Sequence, residues 1–113
     1  MELTIRDYYK AACRTINPKL SVLNTRNHAL FEMTSELGEI HGIYQKELQG
    51  HEPIRDHLIE EIGDLLWGVM ELCFAEKIDP QEVLEYNIDK LCKRYPEGFS
   101  CERSVNREKY GVK

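Results

Sequence analysis

The segment from Ile54 to Lys77 constrains the fold of this chain more than any other stretch. Its apolar residues recur at helical spacing and spread over about half of the helix circumference. They are Ile54, Leu58, Ile62, Leu65, Leu66, Val69, Met70, Leu72 and Cys73. A helix with so wide an apolar surface has to be covered on more than one side. A chain of 113 residues has little else to cover it with, so the segment predicts a homodimer at least, or a dimer of dimers.

The rest of the sequence is also helical in pattern. We predict helices over residues 3–16, 24–49, 54–77 and 80–95. The clearest start signal is Asp79 as the N-cap, Pro80 at the first helical position and Glu82 at the capping-box position. On the second helix one stripe predicts an ordinary core face: Leu30, Met33, Leu37, Ile40 and Tyr44.

The predicted fold is therefore all-α, a four-helix protomer within an oligomeric helical bundle. The loop between the second and third helices is the short stretch GHEP, so these two long helices should be antiparallel neighbours. Residues 96–113 have weak periodicity and predict an irregular tail. We expect residues 1–113 to form one domain, because no interior linker, repeat or low-complexity tract is visible.

Composition and charge exclude several classes of function. The formal net charge is −5 and no basic stripe is present, which argues against binding to nucleic acid or to an anionic membrane. No apolar run approaches the roughly 20 residues that a membrane span requires. The N-terminal stretch MELTIRDYYK lacks the apolar region of a signal peptide, so we expect a cytoplasmic protein. The four cysteines show no zinc-finger spacing.

Two pairs of acids carry the functional prediction: Glu36 with Glu39, and Glu61 with Asp64. An isolated acidic pair at this spacing is most often part of a solvated helix face. Two such pairs on antiparallel neighbours can instead converge on one point, where their repulsion would be costly without a cation. Carboxylate oxygens suit Mg²⁺, and also Mn²⁺. A two-iron site is not predicted, because none of the four histidines has a glutamate three residues before it.

A magnesium site with few protein bases nearby indicates a polyphosphate substrate that is attacked by a metal-activated water. Asn87, Lys90 and Arg94 lie within roughly 60° of one another on the fourth helix, where they could bind phosphate oxygens or form a solvated basic edge. Lys46 lies two turns beyond Glu39 and could reach the same phosphates, although a surface role fits it equally.

If the polyphosphate belongs to a nucleotide, as the resemblance given in the next paragraph implies, two further residues are candidates for contact with its nucleoside. Trp67 could stack on a base, although an aromatic side chain at a dimer interface is the simpler interpretation. His28 faces near the acidic stripe of the second helix, which is formed by Glu32, Glu36, Glu39 and Ile43, and it could line a nucleoside pocket or be a polar residue at the boundary of the core.

These motifs resemble those of the MazG-type nucleotide pyrophosphohydrolases, the all-α NTP pyrophosphatases. The family pattern of E-E-x-x-E followed by E-x-x-D is present as Ser35-Glu36-x-x-Glu39 and Glu61-x-x-Asp64. The stretch NIDKLCKRYPEGFS at 87–100 and VNRE at 105–108 are similar to later family segments, and the similarity runs over residues 8–109. Ser35 replaces the first glutamate of the motif and leaves the four metal-binding acids intact.

The resemblance implies hydrolysis of a nucleoside or deoxynucleoside triphosphate to the monophosphate and pyrophosphate, with Mg²⁺, by a dimer or tetramer of helical protomers. We expect Glu36, Glu39, Glu61 and Asp64 to bind the metal, and Glu36 or Glu39 to orient the attacking water. Two alternatives remain open at this point. The chain could resemble the dimeric dUTPases and act on dUTP or dUDP, or it could be a catalytically inactive helical interaction module.

Overall fold

A computed structural model describes residues 2–110, and its named elements over that range are all helices, joined by turns and loops. The elements are α1 (Ile5–Cys13), α2 (Val22–Leu48), α3 (Arg55–Glu76), α4 (Pro80–Arg94), α5 (Cys101–Val105) and a 3₁₀ helix (Arg107–Tyr110). The all-α prediction with long second and third helices is confirmed. The chain divides into two compact units, Met1–Ile78 with α1 to α3, and Asp79–Lys113 with the remaining elements.

Local hydrogen bonds explain where the first helices begin. The Thr4 hydroxyl accepts from the Asp7 backbone N–H at 3.1 Å, and the Asp7 carboxylate accepts from the Thr4 N–H at 3.4 Å, which completes a capping box. Ser21 accepts from the Asn24 N–H at 3.1 Å, so α2 begins at Val22, two residues before the predicted start.

The residues between α3 and α4 determine where the first of these helices ends and where the second begins. Lys77 ends α3 in the left-handed conformation, with φ of 57°. Asp79 caps α4 by accepting from the Gln81 N–H at 2.9 Å, and Pro80 is the first helical residue, as predicted.

The α2 and α3 helices pack against each other along an antiparallel seam. Contacts pair His28 with Glu71, Met33 with Gly68, and Glu36 with Glu61, so the residue number falls on α3 as it rises on α2. The helices approach closely at Gly68, where an added Cβ would lie 2.6 Å from Cγ of Met33. A buried glycine at this position therefore sets the spacing of the seam.

Replacing Gly68 with alanine should destabilise the fold by about 1–3 kcal/mol, because the new methyl group overpacks the seam against Met33. The matched control is Gly63→Ala on the same helix, where an added Cβ would meet nothing within 4 Å. That control should stabilise the protein by about 0.5–1 kcal/mol through helix propensity alone. Thermal or urea unfolding of both variants measures the two effects, and equal effects would contradict a close approach at Gly68.

One prediction about α2 is wrong for the described chain. Leu30, Leu37 and Tyr44, which the periodicity assigns to a core face, are 45%, 46% and 48% exposed. The side of α2 that is buried in the seam instead carries Thr25, Ala29 and Glu36. The acids thus face α3, and three of the five residues of the apolar stripe lie at the surface of the unit, while Met33 packs in the seam.

The segment after α4, which the sequence predicts to be an irregular tail, contains α5 and the 3₁₀ helix. The Arg103 guanidinium donates to the backbone carbonyl of Lys93 at 2.9 Å and to that of Arg94, so it satisfies the free carbonyls at the end of α4. The rings of Tyr95 and Phe99 lie 5.5 Å apart in the connection to α5. Across residues 2–110, no helix has the combination of length and apolar character that crossing a bilayer demands.

Candidate functional site

Three of the predicted acids meet in the seam between α2 and α3. One carboxylate oxygen of each of Glu36, Glu39 and Glu61 lies within 4.8 Å of the other two. Glu36 is buried with 8% of its surface exposed, Glu61 is half-buried and Glu39 is exposed. The group comes together because i, i+3 spacing on α2 and a position on the facing helix project side chains toward one point.

Asp64 belongs to a second group on α3. Its carboxylate, together with those of Glu60 and Glu61, again has one oxygen from each residue within 4.8 Å of the others. The four predicted acids therefore form two overlapping groups that share Glu61, rather than one compact set. Glu60 is an additional member that the sequence pattern had not indicated.

Crowding of the carboxylates changes their proton affinities. Hydrogen bonding to Glu61, together with burial and the charge of Glu39, raises the pKa of Glu36 to about 8. Hydrogen bonding to Glu61 also raises the pKa of Glu39, and these two hydrogen bonds lower the pKa of Glu61. In the absence of a cation, Glu61 therefore loses its proton more readily than Glu36 or Glu39 does.

The unpaired oxygens of this cluster fit a bound cation. Oε2 of Glu36 and Oε2 of Glu61 are both buried, and neither has a hydrogen-bond partner among residues 2–110. A buried acceptor left unpaired costs about 1–3 kcal/mol, more when it is charged. The atoms that could coordinate a metal here are all carboxylate oxygens, which are the ligands that Mg²⁺ and Mn²⁺ prefer. The residues present thus suit a hard divalent ion.

The same shifts predict how the metal-free protein depends on pH. The pKa of Glu36 is higher in the folded state, about 8, than its unperturbed value of 4.5. Its protonation therefore favours folding, and this contribution is full below about pH 4.5 and is lost as pH rises through about 8. We expect the melting temperature in EDTA to fall over that range. Glu36→Gln should flatten the decline, whereas Glu47→Gln at an exposed position of α2 should leave it unchanged.

Two grooves flank the acidic cluster. The first, which we call the lysine groove, has a volume of about 390 Å³ and is lined by Glu39, Gly42, Ile43, Lys46, His57, Glu60 and Glu61. The second, which we call the tryptophan groove, has a volume of about 330 Å³ and is lined by Thr15, His28, Glu32, Asp64 and Trp67. Both volumes fall near the lower end of the range for small-molecule sites, roughly 300–1,000 Å³.

The aromatic side chains of the tryptophan groove are held by hydrogen bonds. The indole N–H of Trp67 donates to the Thr15 hydroxyl at 2.8 Å, which links α3 to the residues after α1. Nδ1 of His28 lies 2.8 and 2.9 Å from the two carboxylate oxygens of Glu71. The rings of His28 and Trp67 meet edge to face, with centroids 6.3 Å apart.

The remaining predicted site residues belong to the second unit. Asn87 is exposed, and Lys90 and Arg94 are half-buried. Nε and Nη2 of Arg94 are buried and have no hydrogen-bond partner, while its guanidinium lies 5.6 Å from the centre of the Tyr95 ring. A guanidinium in this state has free donors for an anion.

Helical spacing places Glu32 and Glu71 on the same faces as the predicted acids, but it assigns no role to either residue. Glu32 lies one helical turn before Glu36, hydrogen-bonds to it and lines the tryptophan groove. Glu71 is the fully buried partner of His28. The contact between Glu71 and His28 depends on packing between helices, which spacing does not encode.

The family model of the MazG nucleotide pyrophosphohydrolase domain matches residues 24–99. That range includes most of α2, all of α3 and α4, and every acid of the two carboxylate groups. The chain belongs to the MazG family. Membership confirms the resemblance seen in the motifs, and it suggests a nucleotide pyrophosphohydrolase in general terms. No curated protein and no solved structure matches this MazG chain.

Proposed function

We propose that this protein is a Mg²⁺-dependent nucleoside triphosphate pyrophosphohydrolase, able to use Mn²⁺, that converts a (d)NTP to the (d)NMP and pyrophosphate. The observation that carries the proposal is the buried Glu36 carboxylate, which shares a cluster with Glu39 and Glu61 and keeps one oxygen unpaired. In a member of the MazG family, such a cluster could bind the metal ion that the reaction requires. If the seam had only a structural role, apolar residues at these positions would make it more stable.

The acids have distinct parts in this proposal. Glu36, Glu39 and Glu61 would hold the metal, with Asp64 joining through the group that it forms with Glu60 and Glu61. Bound Mg²⁺ would neutralise the carboxylates and polarise the phosphate oxygens of the substrate. We assign the orientation of the attacking water to Glu39, because it is exposed whereas Glu36 is buried.

The two grooves suit different parts of a nucleotide. Lys46 and His57 line the lysine groove, and a lysine suits a phosphate chain. Within the described part of the chain, the tryptophan groove has no lysine or arginine in its lining, and it offers aromatic rings and carboxylates that suit a base and a sugar. We therefore propose that Lys46 binds phosphate and that Trp67 and His28 contact the nucleoside.

The stripe of Asn87, Lys90 and Arg94 is proposed as a second set of phosphate ligands, supported by the two unpaired donors of Arg94. Lys90→Ala should lower kcat/KM at least about tenfold, because a lost charge-assisted hydrogen bond costs about 1.5–3 kcal/mol. The matched control is Lys93→Ala, since Lys93 is exposed and already paired with Asp89 at 3.0 Å. Equal kinetics for both variants would assign the stripe to a solvated edge.

We also propose that the working form is a homodimer or a dimer of dimers. Besides the exposed stripe of α2, α3 leaves Ile59, Ile62 and Leu66 at 55%, 50% and 42% exposure. A second copy of the chain could cover these apolar residues, and burial of this surface would then stabilise the assembly.

Sedimentation at micromolar concentration tests this assembly. We expect a species of at least twice the 13.3 kDa protomer mass. Leu37→Glu should weaken it, because a charge would enter the apolar surface that the second copy is proposed to cover. Glu47→Gln at an exposed site of the same helix should leave it intact. A stable monomer of the unmodified chain would contradict the proposal.

The proposal also covers the domain organisation, the location and the partners of the protein, and it has two competing alternatives. We propose that residues 1–113 act as one domain, since the family match spans both compact units, and that the protein is cytoplasmic. The net charge of −5 favours a nucleotide over nucleic acid or membrane as partner. The competing candidates are a dUTPase-like enzyme and an inactive interaction module.

The decisive experiment is a screen of the purified protein against (d)NTPs, including modified bases and dUTP, and against dUDP, with pyrophosphate and phosphate detection. Pyrophosphate release from a triphosphate supports the proposal. Cleavage of both dUTP and dUDP, and of no other substrate, would favour the dUTPase-like enzyme. Absence of release from every substrate would favour the interaction module.

A further inference from the structure

Glu71 is a carboxylate buried in the most apolar helix of the chain. Its side chain has no exposed surface, and its neighbours Met70 and Cys73 are buried apolar residues. Both of its oxygens lie within hydrogen-bond distance of one atom, Nδ1 of His28, at 2.8 and 2.9 Å. Among residues 2–110, His28 is its one hydrogen-bond partner.

This geometry fixes the orientation of the imidazole. A carboxylate with both oxygens directed at a single ring nitrogen accepts a shared hydrogen, so Nδ1 carries the proton. Nε2 then lies on the opposite side of the ring from Glu71. The His28 side chain is 47% exposed and lines the tryptophan groove, so the edge that carries Nε2 is available to a ligand. The edge contact with Trp67 restrains the same ring from another side.

Stability alone does not explain a glutamate at this position. Burying a carboxylate is costly even when it is paired, and an apolar residue of similar volume is often neutral or stabilising in its place. The arrangement yields a histidine of fixed tautomer at a groove adjoining the acidic cluster. Outer partners of this kind commonly orient a functional histidine through its second nitrogen.

We propose that Glu71 is a positioning residue of the substrate site, which holds His28 so that Nε2 contacts the nucleoside part of the triphosphate. The inference rests on the proposed function. The ligand class follows from the groove, in which Glu32 would repel a phosphate but accept hydrogen bonds from sugar hydroxyls or base amino groups. Trp67 supplies an aromatic surface beside it.

The first test concerns the proton on His28 and needs no substrate. In protein labelled with ¹⁵N-histidine, Nδ1 of His28 should show the shift of a protonated nitrogen, assigned by its loss in His28→Gln. Glu71→Met removes the acceptor at similar volume, so the neutral ring should move its proton to Nε2. Glu76→Gln, at an exposed position on the same helix, should leave the spectrum of His28 unchanged. An unprotonated Nδ1 in the unmodified protein, or the same tautomer in Glu71→Met, would overturn the positioning role.

The second test asks which part of the substrate His28 contacts. Glu71→Met should raise KM for the best nucleoside triphosphate about fivefold, the loss expected for one oriented hydrogen bond, with kcat changed less than twofold. Inorganic tripolyphosphate, which has no nucleoside, should lose less than twofold in kcat/KM. Equal losses for both substrates would overturn the nucleoside contact. If the unmodified protein cleaves no triphosphate, the proposed function fails, and the tautomer measurement still decides whether Glu71 positions His28.

Discussion

Glu61→Gln should lower pyrophosphate release from a nucleoside triphosphate by at least about a hundredfold. Glu61 belongs to both carboxylate groups, and it is the member whose pKa is lowered and which therefore loses its proton more readily than Glu36 or Glu39 does. The amide keeps the size of the side chain but is a poorer ligand for a hard cation, and stabilisation of the developing charge would be lost with it. Asp64→Asn should have a smaller effect, since Asp64 belongs to one group only.

The matched control is Glu47→Gln, which removes one charge from an exposed position of α2 and should retain activity. Stability separates a metal site from general damage. At pH 9 in EDTA, Glu61→Gln should melt at a higher temperature than the unmodified protein, because it has one fewer charge in the cluster. Full activity of Glu61→Gln would contradict the role of Glu61 as a metal ligand. A melting temperature below that of the unmodified protein would indicate that Glu61 stabilises the fold.

Magnesium should stabilise the protein strongly at pH 8. A ligand that binds only the folded state contributes about 2.7 kcal/mol at a hundred times its Kd. For a small domain each kcal/mol raises Tm by roughly 4–8 °C, so we expect a shift of about 10 °C or more. The cause is the cluster itself, in which two buried carboxylate oxygens lack partners until a cation arrives.

Sodium chloride at equal ionic strength is the control, because simple screening of the acids would raise Tm with either salt. Glu36→Gln should lose at least half of the magnesium shift, since Glu36 is the most buried member of the group. An unchanged midpoint with both Mg²⁺ and Mn²⁺ at pH 8 would count against a metal site in this seam.

Sequence periodicity was sufficient to predict the helices and the meeting of three of the four acids, but not the separate group that Asp64 joins. The short GHEP loop requires α2 and α3 to run antiparallel, and i, i+3 spacing then brings Glu36, Glu39 and Glu61 to one place. Periodicity failed for the buried face of α2. It identifies the apolar stripe, but it cannot tell whether that stripe packs on the same chain or stays exposed, as Leu37 does.

The contacts around the site depend on packing that no local pattern encodes. His28 and Glu71 are separated by 43 residues, and their hydrogen bond requires a particular rotamer on each of two helices. The bond from Trp67 to Thr15 spans 52 residues and requires the segment after α1 to lie beside α3. The residue types of the cluster were therefore enough to predict a bound metal ion. The hydrogen-bond partners that orient His28 and Trp67 could not be predicted, because they depend on the packing of the folded chain.

The placement of Glu36, Glu39 and Glu61 in the α2–α3 seam also bears on how this chain responds to selection. In the metal-free state, repulsion in the seam opposes the packing that joins the two longest helices. Replacing one of these carboxylates with an uncharged side chain should therefore stabilise the metal-free protein more than most other substitutions. The same replacement would remove a proposed catalytic ligand. A random library selected for heat resistance in EDTA, with no demand for activity, should therefore accumulate Gln, Met or Leu at these positions. The same library selected for both traits should gain its stability elsewhere.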